Sequence, residues 1–347
     1  MPALAVADAL RADGAEVSFL GTRDRLEARL VPDAGYEIDY LDVRGLDRRN
    51  PVRALGAAAK AARAVPAARR ALRERGANVV MGGGGYVSGP AGLAAVRSGI
   101  PLVLTEADSH LGLANRMLAR RAERVCLAFP IAGRDDERYV VTGRPVPAAV
   151  LEADREVARE RFGIGPSERY LLVFGGSQGA RSINETALAA FAEGDRERDF
   201  GILHVTGHRD FEEVERRVRE ASPERYTLLE YEPTLADVLA ASDLVLARAG
   251  GSVFEIAAAG RPAILVPYPH AAADHQAGNA EWMARAGAAE VIADDELTPE
   301  RLLEAASAIL SYPARIVEMS AASRSLARPD AARRIADEVL AASGGGP

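Results

Sequence analysis

Short apolar runs alternate with longer amphipathic ones along all 347 residues, and few folds accept that rhythm. Strand-length apolar segments separated by helix-length ones are the pattern of βα units laid on a parallel sheet. In the first half, strands are expected at 16–20, 38–43, 78–81, 102–104, 125–129 and 139–141, with helices over 52–74, 89–97 and 112–122. The segment Gly143-Arg144-Pro145-Val146-Pro147 then breaks the rhythm, because a proline pair stops both helix and strand. A second series of strands follows at 170–174, 202–205, 226–229, 244–246, 263–266 and 290–292, with helical segments from Pro299 onward. The chain is too long for one ordinary core and suits two domains of about 150 residues. The expected fold is α/β, with two doubly wound, Rossmann-like domains over 1–143 and 144–347 facing across a cleft. The C-terminal helices are candidates for packing back on the first domain. A doubly wound domain normally opens on a strand, a glycine turn and a helix. This chain opens on a helix over 2–13, so a strand and its turn are expected upstream of Met1.

Four segments carry the chemistry, each following an expected strand. Leu171–Phe174 runs into Gly175-Gly176-Ser177-Gln178-Gly179, and a helix follows. Glycines let a backbone approach a ligand closely, and a helix N-terminus offers free N–H groups to a diphosphate. Ser177 adds a hydroxyl donor. The second segment is Arg248-Ala249-Gly250-Gly251-Ser252-Val253-Phe254-Glu255. Ser252 and Glu255 fit a capping box, and the Glu255 carboxylate also suits the two adjacent hydroxyls of a ribose. The third, Pro267 to Ala280, gathers Asp274, His275, Gln276 and Asn279 at a helix start. That set offers the mixed donors and acceptors a sugar needs, while Asp274 alone also fits a helix cap. The fourth is the run Gly82-Gly83-Gly84-Gly85-Tyr86-Val87-Ser88, whose entropic cost points to close approach of a bulky ligand. Beyond the next strand stand Glu106, Asp108 and His110, which fit either a ligand site or a cap for the following helix.

Charge and cysteine usage narrow the classes further. Up to Gly143 there are 21 Lys+Arg against 17 Asp+Glu, and beyond it 22 against 33. Ten of the basic residues fall between Arg44 and Arg75, a stretch that suits either a solvated helix face or an anionic membrane surface. Nucleic acid is disfavoured, since no aromatic side chains interleave these arginines as a stacking platform requires. The single cysteine, Cys126, lies in an apolar run and is expected to be a buried thiol in a reducing cytoplasm. Neither a signal peptide nor an apolar run of about 18 residues occurs. His270 and His275 lack a third ligand for zinc, and Asp135-Asp136-Glu137 is expected to be a surface turn. No Asp-x-Asp turn follows a strand, so neither a metal nor a cofactor is expected.

Taken together, Pro2–Ala7, Gly84–Pro90, Gly112–Arg116, Gly175–Arg181 and the span Pro269 to Ala280 resemble the MurG family of glycosyltransferases, in the family's order and over nearly the whole chain. The resemblance implies a GT-B fold and an inverting, metal-independent transfer of N-acetylglucosamine from UDP-N-acetylglucosamine to lipid I, giving lipid II in peptidoglycan synthesis. It places donor contacts at Ser177, Gln178, Gly179, Gly250, Gly251, Ser252, Glu255 and Gln276, with Arg144 and Asp108 added. It places acceptor contacts at Gly84, Gly85, Tyr86, Ser88, Glu106 and Asn115. The undecaprenyl-linked acceptor implies peripheral attachment to the inner membrane face, consistent with the Arg44–Arg75 stretch. The family's glycine-rich loop ending in histidine, taken to include the catalytic base, is expected before Pro2. The family's His-Glu-Gln-Asn is here Thr105-Glu106-Ala107-Asp108, and its Thr-Gly-Asn-Pro-Val-Arg is Thr142 to Pro147. Those departures keep two alternatives open: a UDP-sugar transferase with another lipid or natural-product acceptor, and a non-catalytic UDP-sugar-binding protein.

Overall fold

A computed structural model describes residues 2–43, 51–176, 179–194, 198–271 and 274–344, with only the backbone for 51–55, 57 and 58. The chain divides into two compact units, Met1–Pro145 together with Asp330–Pro347, and Val146–Pro329.

In the first unit α1 (Pro2–Ala12), β1 (Ser18–Gly21), α2 (Glu27–Asp33) and β2 (Glu37–Tyr40) precede the long α3 (Pro51–Glu74). Then come β3 (Val80–Gly82), α4 (Gly85–Arg97), β4 (Leu102–Glu106), α5 (Leu113–Leu118), β5 (Arg124–Leu127) and β6 (Tyr139–Val141). β1 and β2 pair in parallel, and β3-β4-β5-β6 form a four-stranded parallel sheet. Among the described residues these two sheets share no hydrogen bonds. Side chains bridge them instead: Val6 and Leu10 of α1 pack with Val17, Met81, Val103 and Cys126. The C-terminal helix α15 (Ala331–Ala342) adds Ile335, Ala336 and Val339 to that cluster. On the opposite face α3 lays Ala64, Val65, Ala68 and Leu72, one helical stripe, against the sheet. Burial pushes the Cys126 thiol up to about 12, so it stays protonated and inert.

The second unit begins with α6 (Ala148–Glu152), α7 (Arg155–Arg161), β7 (Arg169–Phe174), α8 (Arg181–Phe191), β8 (Phe200–Val205) and α9 (Phe211–Ala221). It continues with β9 (Tyr226–Leu229), α10 (Ala236–Ala241), β10 (Leu244–Ala247), α11 (Val253–Ala258) and β11 (Ala263–Leu265). α12 (His275–Arg285), β12 (Ala289–Val291), α13 (Pro299–Leu310) and α14 (Pro313–Leu326) complete it. All six strands are parallel, in the order β12-β11-β10-β7-β8-β9. The central strands β7, β8 and β10 are covered on both faces and almost wholly apolar, as buried parallel strands must be.

That strand order fixes where a ligand sits. From β7 the chain winds outward through β8 and β9, then returns to the other side of β7 and winds outward through β10 and β11. The order therefore reverses between β7 and β10, and loops leaving their carboxyl ends diverge around a crevice at that switch point.

Candidate functional site

Two loops flank the crevice, the turn from Gly175 to Ala180 after β7 and Arg248 to Ser252 after β10. The first is closed by the Gly179 N–H donating to the Gly176 carbonyl at 2.9 Å. Gly176 and Gly179 have φ of +94° and +75°, which only glycine adopts without strain. A Cβ on Gly175 would strike the backbone nitrogen of Ala180, and one on Gly179 the carbonyl oxygen of Thr206. The turn thus lies directly against its own helix start and against the loop after β8. α8 opens from Ala180 with no side-chain cap, so its first N–H groups keep their capacity for an anion. Ser177 and Gln178, expected at the centre of this turn, lie outside the described residues.

A buried polar chain stands behind the turn. His204 of β8 is fully buried, and burial holds its imidazole neutral, with a pKa of about 3. Its Nδ1 lies 2.7 Å from the Tyr226 hydroxyl and its Nε2 3.1 Å from Asn184 Oδ1. Asn184 donates through Nδ2 to the Thr206 carbonyl at 3.1 Å and to Asp210 Oδ2 at 2.9 Å. With the amide nitrogen committed, Oδ1 accepts, so His204 carries its proton on Nε2 and accepts from Tyr226 at Nδ1. The Thr206 carbonyl held by Asn184 is the one that Gly179 lies against. Sequence reading missed this chain; its only signal was a histidine inside the apolar run Ile202-Leu203-His204-Val205.

The second loop is tied down by Arg248, whose guanidinium meets Asp294 Oδ1 at 2.5 Å and Ser182 Oγ at 2.7 Å. It also donates to the carbonyls of Val266 and Pro267, at 3.1 and 3.3 Å, and lies 5.4 Å from the Tyr268 ring centroid. One planar cation therefore joins the ends of β10, β11 and β12 to the first turn of α8. Arg248 and Asp294 were likewise absent from the sequence-based site. Gly250 differs from the glycines above: its φ is not positive, and a Cβ there would meet nothing. The capping box expected at Ser252 and Glu255 does not form. Ser252 already has helical angles, φ −64° and ψ −14°, and its hydroxyl accepts no cap bond. Glu255 lies half-buried in the first turn of α11. Gln276, in the first turn of α12, accepts from the Tyr268 N–H at 2.9 Å, which fixes the orientation of its amide. Asn279 is buried and donates to the Ala249 carbonyl at 3.0 Å, joining α12 to the Gly250 loop. Asp274, the alternative helix cap, makes no capping bond and sits in the left-handed region at φ +55°.

The first unit offers a second set of carboxyl-end loops. Gly84 and Gly85 have φ of +78° and +74°, and a Cβ on either would meet open space. α4 starts at Gly85, four residues before the expected start, so Tyr86 and Ser88 are helical. Tyr86 is 48% exposed with the Arg25 guanidinium 5.8 Å from its ring centroid. Ser88 is buried, its hydroxyl without a partner and packed where a Gly82 Cβ would lie. Glu106 is 7% exposed and engaged: Oε2 accepts from the Gly112 N–H at 2.7 Å and from Asn115 Nδ2 at 2.9 Å, and Oε1 from the Asp108 N–H at 3.3 Å. Asn115 also donates to the Thr105 carbonyl at 2.9 Å. Glu106 and Asn115 thus shape the 108–112 loop and the start of α5. Asp108 and Arg144 both belong to this first unit. Asp136 makes the surface turn expected of it, accepting from the Arg138 and Tyr139 N–H groups. Among the described residues no cluster of three metal-ligating side chains exists. Of the basic stretch, Arg44, Arg48 and Arg49 lie outside the described residues. Lys60 pairs with Asp42, and Arg75 with Glu37 and Asp39, whereas Arg63, Arg70 and Arg73 are exposed.

Comparison with known proteins places this geometry. The glycosyltransferase family 28 N-terminal domain matches residues 1–127, and its C-terminal domain residues 170–335. The UDP-N-acetylglucosamine--N-acetylmuramyl-(pentapeptide) pyrophosphoryl-undecaprenol N-acetylglucosamine transferase of Moorella thermoacetica is 41% identical, over 98% of this chain and 94% of its own length. The Halothermothrix orenii protein of the same name is 37% identical over 94% and 91%. The crystal structure of Acinetobacter baumannii MurG is similar with a TM-score of 0.81 at 33% identity, covering 98% of this chain and 95% of that one.

Proposed function

From the premise that this chain belongs to the MurG family of GT-B glycosyltransferases, we propose that its switch-point crevice carries UDP-N-acetylglucosamine for transfer to lipid I. The family's reaction moves N-acetylglucosamine onto the muramyl hydroxyl of the undecaprenyl-linked acceptor, giving lipid II. The bond from the sugar's C1 to the UDP oxygen breaks as the acceptor hydroxyl attacks from the opposite face and gives up its proton to a general base.

The observation that carries the residue assignment is the pair of loops flanking the β7/β10 reversal, one of them leading into an uncapped helix N-terminus. Charge builds on the departing diphosphate, and free N–H groups at a helix start stabilise it where it develops. In this reading Ser177, Gln178 and Gly179 receive the diphosphate. Gly250, Gly251 and Ser252 line the nucleotide, Glu255 binds the ribose hydroxyls, and Gln276 binds the sugar. Arg144 and Asp108 are the remaining candidate donor contacts. On the acceptor side, Gly84, Gly85 and Tyr86 form the open surface, while Ser88, Glu106 and Asn115 hold that surface in shape.

The acceptor's lipid tail requires a membrane. Among the described residues no helix is long and apolar enough to cross one. We infer peripheral attachment on the cytoplasmic face, with exposed Arg63, Arg70 and Arg73 of α3 meeting anionic headgroups. Co-sedimentation with anionic vesicles, weakened by their joint replacement with glutamine, is the expected result.

The assay for the whole reading is transfer of radiolabel from UDP-N-acetylglucosamine to a lipid I analogue. Labelled disaccharide lipid is expected from a chain extended upstream to the glycine-histidine loop expected before Pro2. Donor binding by calorimetry without any transfer in that extended chain would sink the acceptor assignment and leave a UDP-sugar-binding protein.

A further inference from the structure

The opposite edge of the second unit's sheet, where β7, β10 and β11 begin, holds a group of arginines that the transfer reaction does not use. Arg155 and Arg159 of α7 reach Asp243, which immediately precedes β10, at 2.5 and 3.5 Å. Arg155 also donates to the carbonyls of Ala240 and Ser242, and Arg159 to those of Ala241, Gly165 and Glu168. Several of these carbonyls terminate α10, the negative end of a helix dipole, so both cations are compensated locally. Asp243 has little capacity left, because its Oδ2 also accepts from the Tyr170 N–H at 2.9 Å.

Two further arginines join the group with no such compensation. Arg261 lies between α11 and β11, in the field of Arg155, Arg159 and Arg324 as well as of Asp243. Among the described residues its side chain makes no hydrogen bond or ion pair, and its Nε is buried without a partner. Burial and the like charges together pull its pKa down to about 10. Arg324 of α14 is exposed and likewise unpaired among the described residues. Its side chain crosses the bare Cα of Gly260, where a Cβ would lie 2.6 Å from both Cγ and Nε. Gly260 thus makes the room that lets Arg324 lie beside Arg261. Asp243 is thus taken up by Arg155 and Arg159. Arg261 beside them keeps a largely buried charge with no ion pair among the described residues, one of the costliest features a fold can carry.

We propose that Arg261 and Arg324 form a binding site for a small oxyanion of the phosphate class, with Arg155 behind them, on the sheet edge remote from the glycine turns. The guanidinium fork matches a phosphate's paired oxygens, and a dianion supplies the missing negative charge. Inorganic phosphate and the diphosphate of a nucleotide share this chemistry.

The test uses the intact chain with its crevice saturated by UDP, so that added phosphate reports only on other sites. Sodium phosphate, against sodium chloride at equal ionic strength, is expected to raise the Tm of the parent. Arg324→Gln and Arg261→Gln should bind phosphate about tenfold or more weakly, the worth of one charge-assisted hydrogen bond. Without phosphate both variants should melt no lower than the parent, since each removes like-charge repulsion. Both should also keep the Tm rise given by UDP. In a titration with UDP alone, a second binding event lost in Arg324→Gln would support the site and assign it to nucleotide diphosphate. A phosphate shift absent from UDP-saturated parent with no second UDP binding event, or a shift unchanged in both variants, would overturn it.

Discussion

The two glycine turns look alike in sequence and are glycine-rich for different reasons. In Gly175–Gly179 a side chain is forbidden by backbone: Ala180 on one side, Thr206 on the other. In Gly83–Gly85 the space is open, and at Gly84 and Gly85 only the sign of φ demands glycine. The first turn is anchored at its described ends, Gly175 against Ala180 and Gly179 against the Thr206 carbonyl that Asn184 holds. The second is an open arch whose shape is set from one side, by Ser88 against Gly82. A seat for a diphosphate gains from rigidity, because oriented N–H groups that cannot relax stabilise charge without reorganising. A surface for a bulky acceptor gains from room. The contrast thus fits donor chemistry on the second unit and acceptor chemistry on the first.

Gly179→Ala should break the seat outright. It adds a strained φ, costing about 1–2 kcal/mol, to a clash with the Thr206 carbonyl that neither backbone can avoid. Donor kcat/KM is expected to fall by about a hundredfold or more, equivalent to about 2.7 kcal/mol. A variant with parental donor affinity by calorimetry would show that the turn is softer than its packing implies.

His204→Phe comes next. It leaves Asn184 Oδ1 and the Tyr226 hydroxyl buried and unsatisfied, at a cost of about 2–4 kcal/mol for the two groups. Urea unfolding measures this directly. The same histidine gives a pH signature. Folded His204 has a pKa of about 3, against the ordinary 6.5. The unfolded chain therefore takes up a proton that the folded one refuses. Its contribution to stability is complete above pH 6.5 and declines as pH falls towards 3, by up to about 1.4 kcal/mol per pH unit. His204→Gln should flatten that part of the stability curve, and an unchanged slope would mean another group is responsible.

In the open arch, Gly84→Ala introduces only the strained φ, so about 1 kcal/mol of stability should be lost with no steric penalty. Acceptor KM should rise while donor binding stays as in the parent. A loss of donor affinity comparable to that of Gly179→Ala would erase the distinction between the two turns.

Much of this was legible in the sequence because parallel strands announce themselves as apolar runs. The segments 139–141 and 226–229 lie as expected, and the other strands shift by only a few residues. The start of α4 was misplaced because Pro90 looks like a first-turn proline, whereas it stands five residues into the helix. The Ser252–Glu255 pair has the spacing of a capping box, but the chain enters α11 already helical, so the serine never reaches the capping geometry. Glu106 reads either as a ligand group or as part of a cap for the following helix, and its bonds to the Gly112 N–H and to Asn115 fit the second. The His204 chain and the Arg248–Asp294–Ser182 network could not be read at all. Each joins residues from separate βα units, and only the strand order makes them neighbours.

Gly250 is the sharpest case because neither explanation for a glycine applies. Its φ is not positive and a Cβ there meets no atom. Alanine should therefore leave the fold within about 0.5 kcal/mol, or raise its stability slightly by restricting the unfolded chain. If packing and strain do not require glycine here, what remains is an approaching ligand, at a loop end beside the β7/β10 reversal. Gly250→Ala is then expected to weaken UDP-N-acetylglucosamine binding about tenfold, the cost of about 1.4 kcal/mol, with an unchanged urea midpoint. That separation of affinity from stability is the outcome Gly179→Ala cannot give. Parental affinity in a fully folded Gly250→Ala would mean that the nucleotide keeps its distance from this loop, and would leave the β7 turn as the donor's sole glycine contact.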